Sequence, residues 1–232
     1  MEILQEKLDF LLKKYSIQVN AALKDKKTVI IDGRELPIFP HRSERRFIEL
    51  KKIVQEGTLD GISAMRAMEI AEKTSDIYEI LYRELDLCEF ILGKSIKSVM
   101  AMENENVLNT VAVADDGVVC TVEIAATLKK REPPKDKHEV ISRSGIACDI
   151  VVDAQLKPDS IYVFGEENQK FTDTDFELFG LSEKETAVVR AAFAAAKDKN
   201  FDELIATDKR LCALVEKAKK SAYSGKKESI AV

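Results

Sequence analysis

No Gly-x-Gly occurs anywhere in the 232 residues. The chain therefore offers no glycine-rich turn to cradle a pyrophosphate at a helix amino terminus, and no nucleotide cofactor is expected. Cys-x-x-Cys is also missing. Four cysteines, Cys88, Cys120, Cys148 and Cys212, stand singly in apolar segments, and the two histidines, His41 and His138, lie far apart. That pattern predicts buried free thiols, without disulfides or a metal site. No apolar run approaches the ~18 residues of a membrane span. The amino-terminal stretch MEILQEKLDFLLKK is too charged for a signal peptide, so a cytoplasmic location away from membranes is expected. Positive charge is not in excess: 36 Lys and Arg stand against 41 Asp and Glu, a net −5. Such a balance gives no field to attract nucleic acid or an anionic lipid surface. Internal repeats are absent, and the one low-complexity patch, KKREPPKDKHE, reads as a solvated loop.

What remains is ordinary core-forming material, 45% hydrophobic and 33% charged. Helical spacing from about residue 3 to 25 leads into a β-branched run, Thr28 to Ile31. DGRELP turns the chain. Ser43 opens a helix through ERRFIELKKIVQEG, which stops at Gly57. A strand follows in ISAMRAMEIAEK, then a helix from about Ser75 to Leu92. From Lys94 to about Phe164 the period changes to two, with turn signals at Asp115-Asp116-Gly117, Pro133-Pro134, Gly145 and Pro158-Asp159. Two helices close the chain: Ser182 to about Lys197, opened by the capping-box spacing Ser182-x-x-Glu185, and about Phe201 to Ser221. The expected fold is α+β, an open and mostly antiparallel sheet with helices on one face.

Two surfaces carry functional signals. In the helix DIYEILYRELDLCEFILG, Ile77, Leu81, Leu85, Cys88 and Leu92 form an apolar stripe, while Glu79, Arg83 and Asp86 gather opposite. Glu79 and Arg83 have the spacing of an ion pair contributing ~0.3 kcal/mol, so a solvated face is the simplest account. The other surface is the uncovered side of the sheet. Small residues there, with Ala112, Ala114, Thr121 and Ala125 as candidates, suit packing between subunits, although Thr and Ala also populate plain exposed strands.

The order of elements resembles the carboxy-terminal half of the glucose-fructose oxidoreductase / inositol dehydrogenase / MocA family. The likeness rests on RRFIELKKIVQEGTLDGISAMRAMEI, LYRELDLCEFILGKSIKSVMA, DDGVVCTVEIAATL, HEVISRSGIACDIVVD and LVEKAKKSAYSGKKESI, in that order. It implies residues 41–232 as the carboxy-terminal-like α+β domain, with 1–40 a helix and short strand left from the end of a Rossmann domain that is otherwise missing. The family's Glu-Lys-Pro signature would fall on Asp32, Gly33 and Arg34, so its catalytic lysine is absent unless Lys26 or Lys27 substitutes. Counting back from Gly93, the family's Asp-x-x-x-His-x-x-Asp pattern falls on Glu79, Arg83 and Asp86. The resemblance thus places Arg83 at the catalytic histidine, where a guanidinium with no acceptor lone pair cannot relay a proton.

The resemblance implies a truncated, non-catalytic relative of NAD(P)-dependent sugar and polyol oxidoreductases, an oligomeric binding or scaffold protein. Glu79, Arg83, Asp86 and Tyr82 would line a vestigial cleft, with no catalytic residue among them. The alternative is the substrate and oligomerisation subunit of a split oxidoreductase whose Rossmann domain is a separate chain. A third possibility is new chemistry at Glu79, Arg83 and Asp86 with Tyr78 or Tyr82. The acidic stretch 166–177 lies where the family often contributes substrate contacts, although an acidic surface loop is the simpler account of it.

Overall fold

The computed structural model describes residues 1–149, 160–163, 169–172 and 175–230. In chain order the elements are α1 (Glu2–Lys14), β1 (Ala21–Leu23), β2 (Thr28–Ile31), β3 (Arg34–Pro37), a 3-10 turn (Pro40–Ser43), α2 (Arg45–Gln55), β4 (Ile62–Glu72) and α3 (Ile77–Leu92). They continue with β5 (Ile96–Asn104), β6 (Val107–Ala114), β7 (Val119–Leu128), β8 (Lys135–Ser142), β9 (Ile146–Cys148), β10 (Ser160–Val163) and β11 (Gln169–Thr172). The last are α4 (Glu183–Asp198), α5 (Phe201–Ser224) and β12 (Glu228–Ser229). The chain divides into two compact units, 1–48 with 173–210, and 49–172 with 211–232. The first boundary lies near the expected one at 40, but the first unit also takes in a segment 125 residues further on, which no linear division of the sequence anticipates.

In the first unit α1 is shorter than its sequence suggested. It ends at Lys14; Ser16 takes a left-handed φ of 56°, and β1 occupies part of the stretch expected to be helical. Leu4, Leu8, Leu11 and Leu12 form its buried stripe, and α1 packs on α4. Strands β1, β2 and β3 form an antiparallel sheet whose β2–β3 turn is Asp32-Gly33. Both turn residues have positive φ, 49° and 83°, the pairing that a tight two-residue hairpin demands. The triplet Asp32, Gly33 and Arg34 is therefore a hairpin turn and the first residue of β3. The Arg34 guanidinium pairs with Asp202 at 3.0 Å. The Ser182 capping box forms as the spacing predicted. Beside it Arg190 fastens Asp175 and Glu177, and Glu177 also accepts from Tyr15 and Lys14.

The second unit is built on a seven-stranded sheet in the order β12-β5-β6-β7-β4-β8-β9. Only β4–β7 is parallel; every other pair is antiparallel. The α+β class, the open sheet and its mostly antiparallel pairing agree with the sequence. Helix α3 lies against β7, β4 and β6. It opens where the Asp76 carboxylate accepts from the Tyr78 N–H at 2.8 Å, and it stops at Gly93 with φ 66°. The inward side of the sheet carries Met65, Ala67, Val99, Ala101, Leu108, Cys120, Val122, Ile124 and Val140, all at most 1% exposed. Each fully buried aliphatic side chain of this kind contributes ~1.5–3 kcal/mol.

Register corrects two of the four expected interface residues. Ala112 pairs with Cys120, and Ala112 and Ala114 are both fully buried on the inward face. Val111 pairs with Thr121, and Val107 with Ala125, so Thr121 and Ala125 do face outward beside valines. Strand β6 thus turns its small residues inward, where helices approach closely, and its branched residues outward. The thiols also divide differently from expectation: Cys88 and Cys120 are buried, but Cys148 is half-buried and Cys212 exposed. Of the stretch 166–177, residues 169–172 form β11 and 175–177 are described; 166–168 and 173–174 lie outside the described residues. Among those described, no helix is long and apolar enough to cross a membrane.

Candidate functional site

Helix α3 is buried almost all round, because its polar face meets the sheet's own charges instead of water. Glu84 and Asp86 are fully buried, as is His138 on β8. Strand alternation turns Glu69 of β4 and Asp136 and His138 of β8 toward α3, with Glu69 opposite Asp136 and Ala67 opposite His138. A continuous polar chain results. The Asp149 carboxylate accepts from the His138 backbone N–H at 2.7 Å and lies 2.7 Å from its ring Nδ1. The other ring nitrogen, Nε2, is 2.8 Å from Glu84 Oε2. Glu84 Oε1 in turn accepts from Arg83 Nε at 2.8 Å and Nη2 at 2.5 Å. The guanidinium reaches Glu69 at 2.8 Å and Asp136 at 3.4 Å.

The electrostatics follow from burial competing with neighbours. Burial alone would strip the proton from His138, but the Glu84 and Asp149 carboxylates outweigh it and raise the imidazole to about 10. Burial would also favour a neutral Glu84; the Arg83 and His138 cations overcome this and hold its carboxyl at about 2. Arg83 is pushed up in the same way by Glu84, Glu69 and Asp136, against its own desolvation. For these three groups the charged forms are therefore the resident ones: the His138 imidazolium, the Arg83 guanidinium and the Glu84 carboxylate.

The predicted residues separate in this frame. Arg83 lies at the heart of the network with its side chain 24% exposed. What holds it on the buried side is Glu84, Glu69 and Asp136, whereas the expected partner Glu79 is exposed and Tyr82 half-buried. Asp86 was expected on an open polar face and is instead fully enclosed, since α3 lies deep in the unit with no outer face at that position. Sequence reasoning missed Glu69, Glu84, Asp136, His138 and Asp149. A signal was there: in ISAMRAMEIAE the apolar phase Met65, Ala67, Ala71 includes Glu69, an acid on the buried side of a strand.

Chemically the cluster is saturated. With both ring nitrogens of His138 engaged by carboxylates, the imidazolium is held in place without a lone pair to accept a proton. Three carboxylates around Arg83 neutralise the charge that an anionic ligand would need. Among the described residues no group of three or more His, Cys, Asp or Glu side chains has a metal-holding arrangement.

No protein-family model and no curated protein matches the sequence. Solved structures do match the fold, and they are oxidoreductases of the glucose-fructose oxidoreductase / inositol dehydrogenase / MocA type. Levoglucosan dehydrogenase, in complex with NADH and L-sorbose, aligns with a TM-score of 0.65 at 14% identity over 83% of this chain and 65% of its own. A myo-inositol dehydrogenase of Corynebacterium glutamicum aligns at 0.62 and 13% identity, over 84% of this chain and 64% of its own. The apo scyllo-inositol dehydrogenase of Lactobacillus casei gives 0.59 and 12%, over 84% and 62%. The chain spans less than two thirds of the length of these structures.

Proposed function

We propose that this chain is a non-catalytic relative of the NAD(P)-dependent sugar and polyol dehydrogenases, working as an oligomeric binding or scaffold protein. The observation that carries this is Arg83. At the position where the family resemblance calls for a proton-relaying histidine stands a permanently charged guanidinium, enclosed by Glu84, Glu69 and Asp136. The lack of any Gly-x-Gly in the sequence supports it independently. Calorimetric titration of the 232-residue chain with NAD and NADP, followed by assay on a panel of inositols and aldoses, tests the idea. The expected result is no saturable micromolar binding and no reduced cofactor. Either binding or turnover by this chain alone would overturn it.

A second reading is favoured by the length relation to the matched structures. In it, the chain supplies the sheet domain of a split oxidoreductase, and a separate chain brings the nucleotide. Recovery of a copurifying chain that carries a Gly-rich dinucleotide turn and confers NAD-dependent turnover would select this reading over the first.

A further inference from the structure

The β7–β8 connection is a basic island in an acidic chain. It carries four cations, Lys129, Lys130, Arg131 and Lys135, against one acid, Glu132, whereas the whole chain stands at −5. Every residue from 129 to 135 is exposed. A fifth cation comes from the neighbouring strand: just past the end of β4, the exposed Lys73 donates its N–H to the Leu128 carbonyl at 3.0 Å, where β7 stops. On the other side of β4, Lys135 opens β8 opposite Ile70. Because β4 lies between β7 and β8, the five cations share one end of three adjacent strands. None of them makes an ion pair among the described residues.

The connection is held in one shape by its own bonds. The Glu132 N–H donates to the Lys129 carbonyl at 3.1 Å, and the Glu132 carboxylate accepts from the Lys129 N–H at 3.1 Å. The one acid of the stretch is thus turned back onto the turn's backbone. Arg131 is third in this four-residue turn with φ 71°, the left-handed place that a type II turn ordinarily gives to glycine. Pro133 and Pro134 stiffen the exit. A strained arginine costs folding stability and presents its charge in a set direction.

We propose that this end of the sheet docks an acidic segment of a partner polypeptide, with Lys73, Lys129, Lys130, Arg131 and Lys135 as its contacts. The surface goes beyond the functional reading above and serves a catalytic or a non-catalytic chain alike. Charge and spacing select the occupant. Three strand ends span about 10 Å, from a spacing of ~4.8 Å, and an extended peptide sets alternate side chains ~6.8 Å apart, so a short run of Asp and Glu reaches all three strands. A lone carboxylate or phosphate bridges no such distance. Nucleic acid fits less well, because the stretch has no aromatic ring for a base to stack on and the acidity of the rest of the chain repels a long polyanion. A membrane also fits less well, since none of the exposed large apolar side chains belongs to the connection. The fixed turn leaves little freedom to lose on binding.

Fluorescence anisotropy of a labelled hexaglutamate peptide, titrated with the intact chain at ~50 mM salt, tests this. The expected result is saturable binding at ~10–100 μM that weakens by ~10-fold or more at ~500 mM salt. Lys130→Glu should weaken binding by ~10-fold, as one attraction is replaced by a repulsion. Arg131→Gly should weaken it by ~3-fold with the melting temperature unchanged or higher, because glycine suits the left-handed backbone. That variant decides if Lys130→Glu fails to fold. The control is Lys94→Glu, an equal change in net charge at an exposed position next to Ser95, whose carbonyl accepts from the Asp115 N–H at the opposite end of β7. It should leave binding within ~2-fold. No saturable binding at low salt overturns the proposal, and equal weakening by Lys94→Glu overturns the assigned location. Tighter binding of an octathymidylate, or of vesicles containing phosphatidylserine, overturns the assignment of a peptide partner.

Discussion

The two faces of one sheet use the same residue types for opposite ends. Strand β4 turns Glu69 inward and Arg66 outward, and β8 turns His138 inward and Glu139 outward. Inside, the acids and cations are enclosed beneath α3, and Arg83, Glu84 and His138 are held in their charged forms by their neighbours. Outside, the Arg66 side chain is 48% exposed and Glu123 40%, so water and salt compete for the pair. The contrast shows that geometry does not set the worth of an ion pair here. Both sides have bonds near 3 Å, but only the inner charges have lost the solvent that would take the place of a missing partner.

The largest effect expected is therefore at Glu84, which stands between two cations. Glu84→Ala leaves Arg83 and His138 facing each other across a dry gap and should destabilise the protein by ~3–5 kcal/mol in urea unfolding. A loss within the range of an exposed pair would erase the distinction between the faces. The same network sets a pH signature. His138 has its affinity for a proton raised from 6.5 to about 10 by folding, so its contribution is complete below 6.5, declines as pH rises, and is gone above about 10. Glu84 is lowered from 4.5 to about 2, so its contribution is complete above 4.5 and lost as pH falls through about 2. Together they place the network's greatest stabilisation between pH 4.5 and 6.5. The difference in unfolding midpoint between the native chain and His138→Gln, followed from pH 6 to 10, should shrink steadily; a constant difference would contradict the assigned imidazolium.

Arg83→His comes next. Were Arg83 on a solvated helix face, the substitution would cost no more than ~0–1 kcal/mol. With Glu84 fully buried against it, the loss should reach ~2–3 kcal/mol, between an exposed and a wholly buried pair. It should also bring no dehydrogenase activity, since a histidine there restores neither a nucleotide turn nor a lysine. Thermal unfolding and the cofactor assay on one sample separate the two results.

How far the sequence reveals this arrangement depends on how local the causes are. Asp76, Gly93 and the Ser182–Glu185 box act within one helical turn; the box formed as its spacing predicted, and α3 keeps close to its expected limits. Strands β4 to β8 were visible because alternation needs no partner to be recognised. The face of α3 was not, because it depends on which acids the neighbouring strands bring to it. Asp136 and His138 are separated from Arg83 by three strands, and Glu69 lies on the strand before α3, so nothing in a helical wheel records them. The outward and inward sides of β6 were confused for a similar reason: small Ala112 and branched Val111 are each plausible on either side until the partner strand fixes the register.

The smallest effect expected, and the sharpest test of the comparison, is at Arg66. It is chemically the twin of Arg83, with a two-pronged bond to Glu123 and Glu139 within 4.0 Å. On geometry alone it should matter as much. Its exposure says otherwise: with half of the side chain in water, Arg66→Ala replaces ion pairing by hydration on both partners and should cost ~0–1 kcal/mol in the single chain. That cost should fall further as salt is raised toward ~1 M, where the screening length is ~3 Å, whereas the Glu84→Ala loss should hardly respond. The measurement is urea unfolding of both variants at low and high salt, with chain concentration held fixed so that dissociation does not enter. If Arg66→Ala proved as damaging as Glu84→Ala and equally indifferent to salt, the outward face would be as dry as the inward one in the folded protein. The line drawn between a sealed face and an open one would then have to be abandoned.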